Sequence, residues 1–322
     1  MLDAPSYEKK QILFAFLNQG EKVTFLNDNL VIRDSDGKIK CQSTCYRLFA
    51  LYIVGHTAIT TGLIQRASQF GFTIILMTTG FRVYQIIGSH RDANTALHRI
   101  QYQYNRWDIA QYLTANKIRS QRETLNIQRN KSPELKNAIA FLDSCPQKLQ
   151  NANSLDEIMG IEGAAARLYF ENHFNNVPWT KRMPRIKPDW VNSTLDIGYT
   201  ILFSFIESLL SIYGFDLYCG VMHRQFYMRK SLVCDLVEPF RPVIDQQIKK
   251  SINLGQFKVE HFKVFNHQYQ LEWKHSPVYT SVILQSLLQR RSAIFKYVQS
   301  YYRAFMRDKP IDQYPVFYIE KE

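Results

Sequence analysis

The sequence lacks the signals that mark secreted, membrane-spanning and disulfide-bonded proteins. Its N-terminus, MLDAPSYEKK, has no basic segment followed by an apolar core, so it does not resemble a secretory signal. The longest apolar stretch, residues 201–215, contains Glu207 and is shorter than the ~20 residues that span a bilayer, so we expect a buried helix. The 5 cysteines form no C-x-x-C pair that would suggest a zinc or redox centre. These absences predict a cytoplasmic protein with no membrane association.

Positive charge, in contrast, is abundant. The 322 residues include 40 Lys and Arg against 28 Asp and Glu, a formal net charge of +12. Such an excess favours contact with a polyanion, and nucleic acid is the first candidate. The hydrophobic content of 46% is ample for packed cores, and the length suits roughly two domains.

The chain divides into two halves with different patterns. Residues 11–87 are rich in β-branched and aromatic runs separated by turn signals, and one segment, residues 60–70, has helical spacing before Gly71. From about Thr95 to Arg129 the apolar residues recur at a helical spacing, and Ser132 and Ser154 match helix N-caps. We therefore predict an α+β protein, with a β-rich N-terminal domain over residues 1–88 and a larger all-α C-terminal domain over residues 89–322.

Residues 179–189, WTKRMPRIKPD, interrupt the helical half. They combine prolines with 4 basic side chains, which breaks helical periodicity and concentrates positive charge. The segment therefore predicts a mobile loop that faces DNA. We refer to it below as the basic connector.

Three segments concentrate acidic and imidazole side chains: GIEG with Glu162, GVMH with His223, and SLVCDLVEPFRP with Asp235 and Glu238. Singly they are weak signals, because a Glu in the first turn of a helix usually complements the helix dipole and a lone His is usually structural. Asp235 and Glu238 are three residues apart, so a helix starting at Ser231 would place them on one side, among apolar neighbours. A solvated acidic face remains the alternative, but a buried acidic pair favours a metal. Carboxylates with one imidazole suit magnesium or manganese, which leads to phosphoryl chemistry on nucleic acid.

These segments resemble the CRISPR-associated protein one family. Glu162 and His223 are 61 residues apart, and His223 and Glu238 are 15 apart, in the family's order. The resemblance covers nearly the whole chain, since it extends to VGHTAITTGLIQRA in the β-rich half. The stretch QSTCYRLFALYIVGHTAITTGLIQRA is most similar to the type V branch. Further matching residues are Lys117, Gln121, Asp189, Asn192, Gly198 and Tyr199.

The resemblance implies an enzyme of CRISPR adaptation, the stage of antiviral defence at which new spacers are acquired. The family joins the 3′-hydroxyl ends of short DNA fragments to the ends of CRISPR repeats by metal-dependent transesterification. Its metal ligands correspond to Glu162, His223 and Glu238, and Asp235 is the nearby acid that either ligates or acts behind the ligands. The implied partners are double-stranded DNA, a second copy of the chain paired through the β-rich domain, and CRISPR-associated protein two.

DNA contacts are expected from basic side chains near these motifs, because phosphates are bound mainly by Lys and Arg. The candidates are Arg224, Arg229, Lys230, Arg241, Lys181, Arg182, Arg185 and Lys187. Two other functions remain open. One is a structure-specific DNA endonuclease using the same metal site with water as the nucleophile. The other is a basic, non-enzymatic DNA scaffold in which the acidic cluster is structural.

Overall fold

The computed structural model describes residues 4–88, 94–177, 179–223 and 226–319. Contacts within the chain divide it into two compact units. The first unit contains residues 1–99 together with 204–216, and the second contains residues 100–203 and 217–322. The contribution of residues 204–216 to the first unit had no counterpart in the sequence pattern. The predicted domain boundary near residue 88 stays a prediction.

The β-branched and aromatic runs of the first unit form strands. They are β1 (Gln11–Leu17), β2 (Lys22–Leu26), β3 (Asn29–Arg33), β4 (Ile39–Thr44), β5 (Leu48–Gly55), β6 (Thr73–Met77) and β7 (Val83–Ile87). One sheet has the order β1-β5-β6-β7, in which β7 alone is antiparallel to its neighbour, and the other is the antiparallel sheet β2-β3-β4. All residues of β5 are buried, as expected for a central strand.

Two helices accompany these strands, α1 (Ala4–Lys9) and α2 (Thr61–Phe70). The side chain of Thr60 accepts a hydrogen bond from the backbone N–H of Leu63, and Gly71 ends α2 in the left-handed conformation with φ 69°. The sequence contains both signals, Thr60 for the start of the helix and Gly71 for its end. Leu63 and Ala67 of α2 belong to the same buried apolar cluster as residues of β1, β3, β5 and β6.

Helices account for most of the chain after residue 94. They are α3 (Thr95–Gln103), α4 (Asp108–Asn126), α5 (Pro133–Gln150), α6 (Leu155–His173), α7 (Trp190–Tyr213), α8 (Ser231–Leu236), α9 (Arg241–Asn253), α10 (Ser276–Gln289) and α11 (Arg291–Met306). A strand-rich N-terminal region is thus followed by a helical C-terminal part, which confirms the α+β class. The helical part also contains a small antiparallel hairpin of β8 (Phe262–Phe265) and β9 (Gln268–Leu271), which the sequence did not indicate.

The helical stretch predicted from Thr95 to Arg129 consists of two helices separated by residues 104–107. The hydroxyl of Tyr104 donates to a carboxylate oxygen of Asp108 at 2.5 Å and accepts from the backbone N–H of Ile109 at 3.0 Å. A side chain just before α4 therefore satisfies one of the free N–H groups at the start of that helix. This local hydrogen bonding interrupts the helix although the apolar spacing continues.

The apolar stretch at residues 201–215 lies largely in α7, which has 24 residues. By length and composition α7 could cross a membrane, but 72% of its most apolar window is buried within the protein. That burial agrees with the expected core helix. Gly198 of α7 permits close packing against α9, because a Cβ atom there would lie 2.4 Å from a methyl carbon of Ile244.

Candidate active site

Glu162 is carried by α6, and its position excludes one simple interpretation. The helix is capped by Ser154, whose side chain accepts from the N–H of Glu157, while the Glu157 carboxylate accepts from the N–H of Asn153. Glu162 lies beyond the first turn that begins at Leu155, so it does not serve as a cap or as a first-turn partner of the helix dipole. The dipole interpretation of Glu162 is therefore wrong.

Asp235, in α8, holds the loop that presents His223. It is fully buried, and its Oδ2 accepts from the N–H groups of Val221 at 2.6 Å and Met222 at 3.1 Å. Its Oδ1 accepts from the N–H of His223 at 2.9 Å and lies 2.6 Å from His223 Nδ1. Gly220 makes this approach possible, because a Cβ atom there would lie 2.7 Å from Asp235 Oδ2. Both Asp235 oxygens are thus engaged within the protein. The other ring nitrogen of His223, Nε2, makes no hydrogen bond to the part of the chain that the structure describes.

Glu162 and Glu238 converge on one cation, the ammonium group of Lys117 in α4. Lys117 Nζ is hydrogen-bonded to Glu162 and lies 2.6 Å from Glu238 Oε2. Arg241 Nε lies 3.0 Å from the other oxygen of Glu238. The two carboxylates and two cations form a compact, largely buried network, which we call the acidic centre. Glu238 lies in a short 3-10 turn after α8 rather than in the helix itself.

The charges at the acidic centre shift the pKa values of Glu238 and Lys117. Burial alone would raise the pKa of Glu238, but Arg241 and Lys117 outweigh it and lower that pKa to about 2, with a smaller contribution from His223. Burial alone would lower the pKa of Lys117, yet Glu238 and Glu162 hold it above its ordinary value. Glu238 and Lys117 are therefore both charged at neutral pH.

The predicted metal ligands fit a hard divalent cation by their chemistry. Glu162 and Glu238 already share one cation, and Glu238 Oε2 is buried without a hydrogen-bond donor in good geometry. His223 lies near enough to Glu238 to act on it electrostatically, and its Nδ1 is held by Asp235. Within residues 4–88, 94–177, 179–223 and 226–319, however, no three acidic, His or Cys side chains lie close enough to hold a metal as they stand. The predicted metal ligands, Glu162, His223 and Glu238, therefore stay a prediction. A metal ion bound by them would have to displace Lys117.

The acidic centre lies at one side of a pocket of about 420 Å³ in the second unit. Its walls come from one face of α6, from α4, from the basic connector, from Tyr199 within α7 and from the start of α9. Arg241 and Arg182 reach the pocket and lie 4.6 and 5.3 Å from the ring centre of Tyr199. Cationic side chains thus surround the acidic centre, an arrangement that suits a phosphate beside a metal.

The basic connector is non-helical, as predicted, and Asn192 of α7 anchors it. The Asn192 side chain donates to the carbonyl of Lys181 at 3.0 Å and accepts from the N–H of Met183 at 2.8 Å. Arg182 donates to Asn192 at 2.9 Å and forms an ion pair of 2.5 Å with Asp196. Arg182 is therefore committed to an internal contact, whereas Lys181 is exposed at the pocket edge.

The other predicted DNA contacts are spread more widely. Arg185 and Lys187 both have positive φ, 68° and 51°, in the second half of the connector. Arg229 and Lys230 are partly exposed just before α8. Arg224 lies outside the described residues. Of the predicted cations, the structure places Arg241, Lys181 and Arg182 at the pocket.

Sequence reasoning missed Asp245, which also lines the pocket. Asp245 accepts hydrogen bonds from the hydroxyls of Tyr199 at 2.6 Å and Tyr169 at 3.0 Å, and burial raises its pKa to about 6. Asp245 follows Arg241 by four residues on α9, which places the two side chains on the same face of the helix. That spacing was the signal available in the sequence. Lys117 is among the residues that match the family, but nothing in its sequence surroundings marks it as the partner of two acids.

A family model described as CRISPR associated protein Cas1 matches residues 15–279, most of the chain. The chain belongs to the Cas1 family. A CRISPR-associated endonuclease Cas1 from Francisella tularensis subsp. novicida is 31% identical over 202 residues, 59% of this chain and 64% of that protein. The match thus spans less than two thirds of that relative's length.

Solved structures show that this Cas1 family member has the expected fold. A chain of a partial Cas6-RT-Cas1–Cas2 complex matches with a TM-score of 0.74 at 24% identity, covering 97% of this chain and 100% of the other. A casposase bound to an integration product matches with a TM-score of 0.74 at 18% identity, covering 97% and 96%. At these identities the likeness establishes the fold alone. The resemblance to the Cas1 family is confirmed, while its type V branch stays a prediction.

Proposed function

We propose that this chain is a metal-dependent CRISPR spacer integrase, which joins the 3′-hydroxyl ends of short DNA fragments to the ends of CRISPR repeats. The observation that carries the proposal is the convergence of Glu162 and Glu238 on one cation at the side of a basic pocket. That arrangement meets two needs of phosphoryl transfer at once, a cation site and a surrounding field that attracts phosphate.

In the proposed enzyme Glu162, Glu238 and His223 would hold magnesium or manganese. The chemistry supplied by such an ion would be polarisation of the scissile phosphate and help in ionising the attacking hydroxyl. Asp235 keeps His223 in the tautomer whose Nε2 is free, since Nδ1 faces its carboxylate at 2.6 Å. We therefore assign Asp235 a positioning role. Because the nucleophile is a DNA hydroxyl, no Ser, Tyr or Cys of the protein forms a covalent intermediate.

Cationic side chains account for the rest of the proposed chemistry. Arg241 lies in the pocket beside Glu238, where its guanidinium would neutralise negative charge that develops on the phosphate. Lys117, once displaced from the two carboxylates, would remain within reach of the same phosphate. Exposed Lys181 and the other basic side chains of the connector would hold the DNA backbone without reading its sequence.

The proposed partners are double-stranded DNA, Cas2 and a second copy of the chain. A structural neighbour belongs to a complex that contains Cas2, and another is a casposase bound to an integration product. The first supports a Cas2 partner for this chain, and the second supports a DNA-joining role. The net charge of +12 favours the DNA partner further.

The test uses purified protein with Cas2, manganese or magnesium, a short duplex with 3′-hydroxyl ends and a supercoiled plasmid that carries a CRISPR repeat. Wild type should attach the duplex to the plasmid, and His223→Ala should not, because it loses a proposed metal ligand. Equal joining by both proteins would show that the assigned metal site is wrong. Joining in the presence of a chelator would exclude the metal itself.

A structure-specific endonuclease is the second candidate, and the name of the Francisella relative favours it. The two activities differ in the nucleophile, so a matched fragment with 3′-dideoxy ends separates them. An integrase loses its joined product on the dideoxy fragment and keeps it on the hydroxyl fragment. A nuclease cuts equally with both fragments and forms no joined product. A DNA scaffold binds both, neither cuts nor joins, and does not respond to the metal.

A further inference from the structure

Residues 314–319 form an extended segment after the last helices, which we call the strap. Phe317 and Ile319 are buried, and the residues that alternate with them, Val316 and Tyr318, are exposed. A period of two is what an extended chain shows when one of its sides packs on a core. The strap lines no part of the pocket beside the acidic centre, and the proposed chemistry leaves it without a role.

The strap is anchored to α4 at two places. The hydroxyl of Tyr112 donates to the backbone carbonyl of Pro315. The backbone N–H of Ile319 donates to Glu123 Oε2 at 2.8 Å. Both anchors involve backbone groups of the strap, so they fix the path of the segment rather than one of its side chains.

The face of α4 that holds the strap is not the face that carries the acidic centre. Arg119 adds a third contact, because its guanidinium lies 5.5 Å from the ring centre of Tyr318. An α-helix turns by about 100° per residue, so Tyr112, Arg119 and Glu123 fall within about 40° of one another. Lys117 falls about 140° from the middle of that face. The strap therefore supports α4 from the side away from its lysine.

The strap also supports the turn that carries Glu238. Phe317 packs edge-on against Phe240, with ring centres 4.7 Å apart and planes at 71°. Phe240 is fully buried and belongs to the same 3-10 turn as Glu238. One segment thus contacts both α4, which carries Lys117, and the turn, which carries Glu238.

Lys117 and Glu238 link these two elements directly, through the ion pair of 2.6 Å. A metal held by Glu162 and Glu238 would have to displace Lys117, so this direct link would be lost when the metal binds. The strap would keep its hold on both elements, because its contacts involve neither Lys117 nor the two carboxylates.

We propose that the strap is a positioning element of the acidic centre. By holding α4 against the turn 238–240, it sets where Glu238 stands relative to Glu162 and Lys117. Phe317 is a positioning residue, since it acts through Phe240 and touches no reacting group. Side chains that react or bind a metal need such packed support to keep their geometry. The consequence for DNA joining rests on the proposed function, whereas the hold on the acidic centre is testable without DNA or metal.

The first test is a double-mutant cycle on the full chain, with Phe317→Leu and Lys117→Met, in the presence of a chelator. Urea denaturation followed by tryptophan fluorescence reports the second unit, because all 4 tryptophans lie in it. Residues that only pack, and do not act on each other, have additive effects. If the strap positions the ion pair, part of the cost of Phe317→Leu is a weakened ion pair. That change should then lower the urea midpoint less in the Lys117→Met background, by about 0.5 M.

Phe257→Leu is the matched control. Phe257 is also a buried phenylalanine of the second unit, but its ring stacks on Tyr279 of α10, with ring centres 3.9 Å apart. It should lower the midpoint equally with and without Lys117. Glu123→Ala is a second variant, which removes one anchor of the strap at a half-buried position and leaves the core intact. It should show a coupling of the same sign as Phe317→Leu.

The second test uses the joining assay with Cas2, at a temperature at which the variants are folded. Phe317→Leu should raise the manganese concentration for half-maximal joining about 10-fold, as changes behind metal ligands do. Its dissociation constant for DNA should stay unchanged, since the strap does not line the pocket. Phe257→Leu should leave both quantities unchanged.

The outcomes separate this proposal from the proposed function. If wild type joins DNA but the effects of Phe317→Leu and Lys117→Met are additive, the strap proposal is wrong and the integrase proposal stands. An unchanged manganese requirement in Phe317→Leu would also overturn the strap as a positioning element. If the two changes are coupled but wild type joins no DNA, the hold on the acidic centre stands and the proposed function fails.

Discussion

Replacing Lys117 by Met tests whether this lysine occupies the place of a metal. In the protein without metal, the Lys117 ammonium neutralises Glu162 and Glu238, and its side chain is only 11% exposed. Met keeps the length and packing of the stem but removes the charge. Without metal the variant should be less stable than wild type, because two neighbouring carboxylates lose their shared cation.

The expected magnitude follows from the burial. Removing one partner of a buried ion pair costs about 3–5 kcal/mol, since the remaining charge is left uncompensated. The side chain of Glu238 is 5% exposed and that of Glu162 is 23% exposed, so little solvent is available to replace the lysine. For a unit of this size the loss corresponds to about 6–20 °C in Tm.

Manganese or magnesium should reverse the loss. The metal stabilises the folded protein by binding it, and in the variant it need not displace Lys117 first, so the increase in Tm should exceed that of wild type. Differential scanning calorimetry with chelator and with metal measures both increases. Lys136→Met, an exposed change on α5, is the control and should behave as wild type. Equal metal-induced increases in Lys117→Met and wild type would refute the reasoning.

Three further changes test other parts of the structure. Glu238 has a pKa of about 2 against an ordinary 4.5, so it contributes stability above pH 4.5 that is lost as pH falls toward 2. Glu238→Gln should remove this dependence and cost about 3 kcal/mol at pH 7, as urea denaturation from pH 3 to 7 would show. Burial lowers the pKa of His173 to about 3, so folding loses stability as pH falls below 6.5. His173→Phe should flatten that slope in the same denaturation series, and an unchanged slope would contradict the assignment. Gly198→Ala should cost about 1–3 kcal/mol by overpacking against Ile244, whereas Gly160→Ala, with open space around it, should be neutral or slightly stabilising in thermal melts.

Local signals predicted much of the fold. Thr60 and Gly71 fix the ends of α2, and Ser132 caps α5 through the N–H of Leu135, as the sequence indicated. These contacts join residues three or four positions apart, so composition and spacing contain the information. The sequence also predicted a helix starting at Ser231, which brings Asp235 into the interior, although no side chain caps this helix.

The contacts of the site were not predictable in this way. Lys117 and Glu162 are 45 residues apart and come from different helices, so no periodicity links them. The resemblance to the Cas1 family named the acids and the histidine, but it gave no partner for Lys117. Asp235 shows the difference most clearly. Spacing suggested a carboxylate on the same side as Glu238, whereas the structure turns it toward the loop at Gly220.

The charge balance of the acidic centre suggests why metal and DNA should bind together. Glu162 and Glu238 supply two negative charges, and Lys117 and Arg241 supply two positive ones, so the centre is balanced as it stands. A divalent ion alone would leave an excess of positive charge in a largely buried place, which is costly. A phosphate alone would approach cations that are already paired with carboxylates. If both bound, Glu162 and Glu238 would hold the ion and Lys117 would be released toward the phosphate, so each ligand would lower the cost of binding the other. By linkage, any such coupling must be equal in both directions. We therefore expect the centre to bind little metal until DNA is present, which would confine the proposed joining reaction to the complex with DNA.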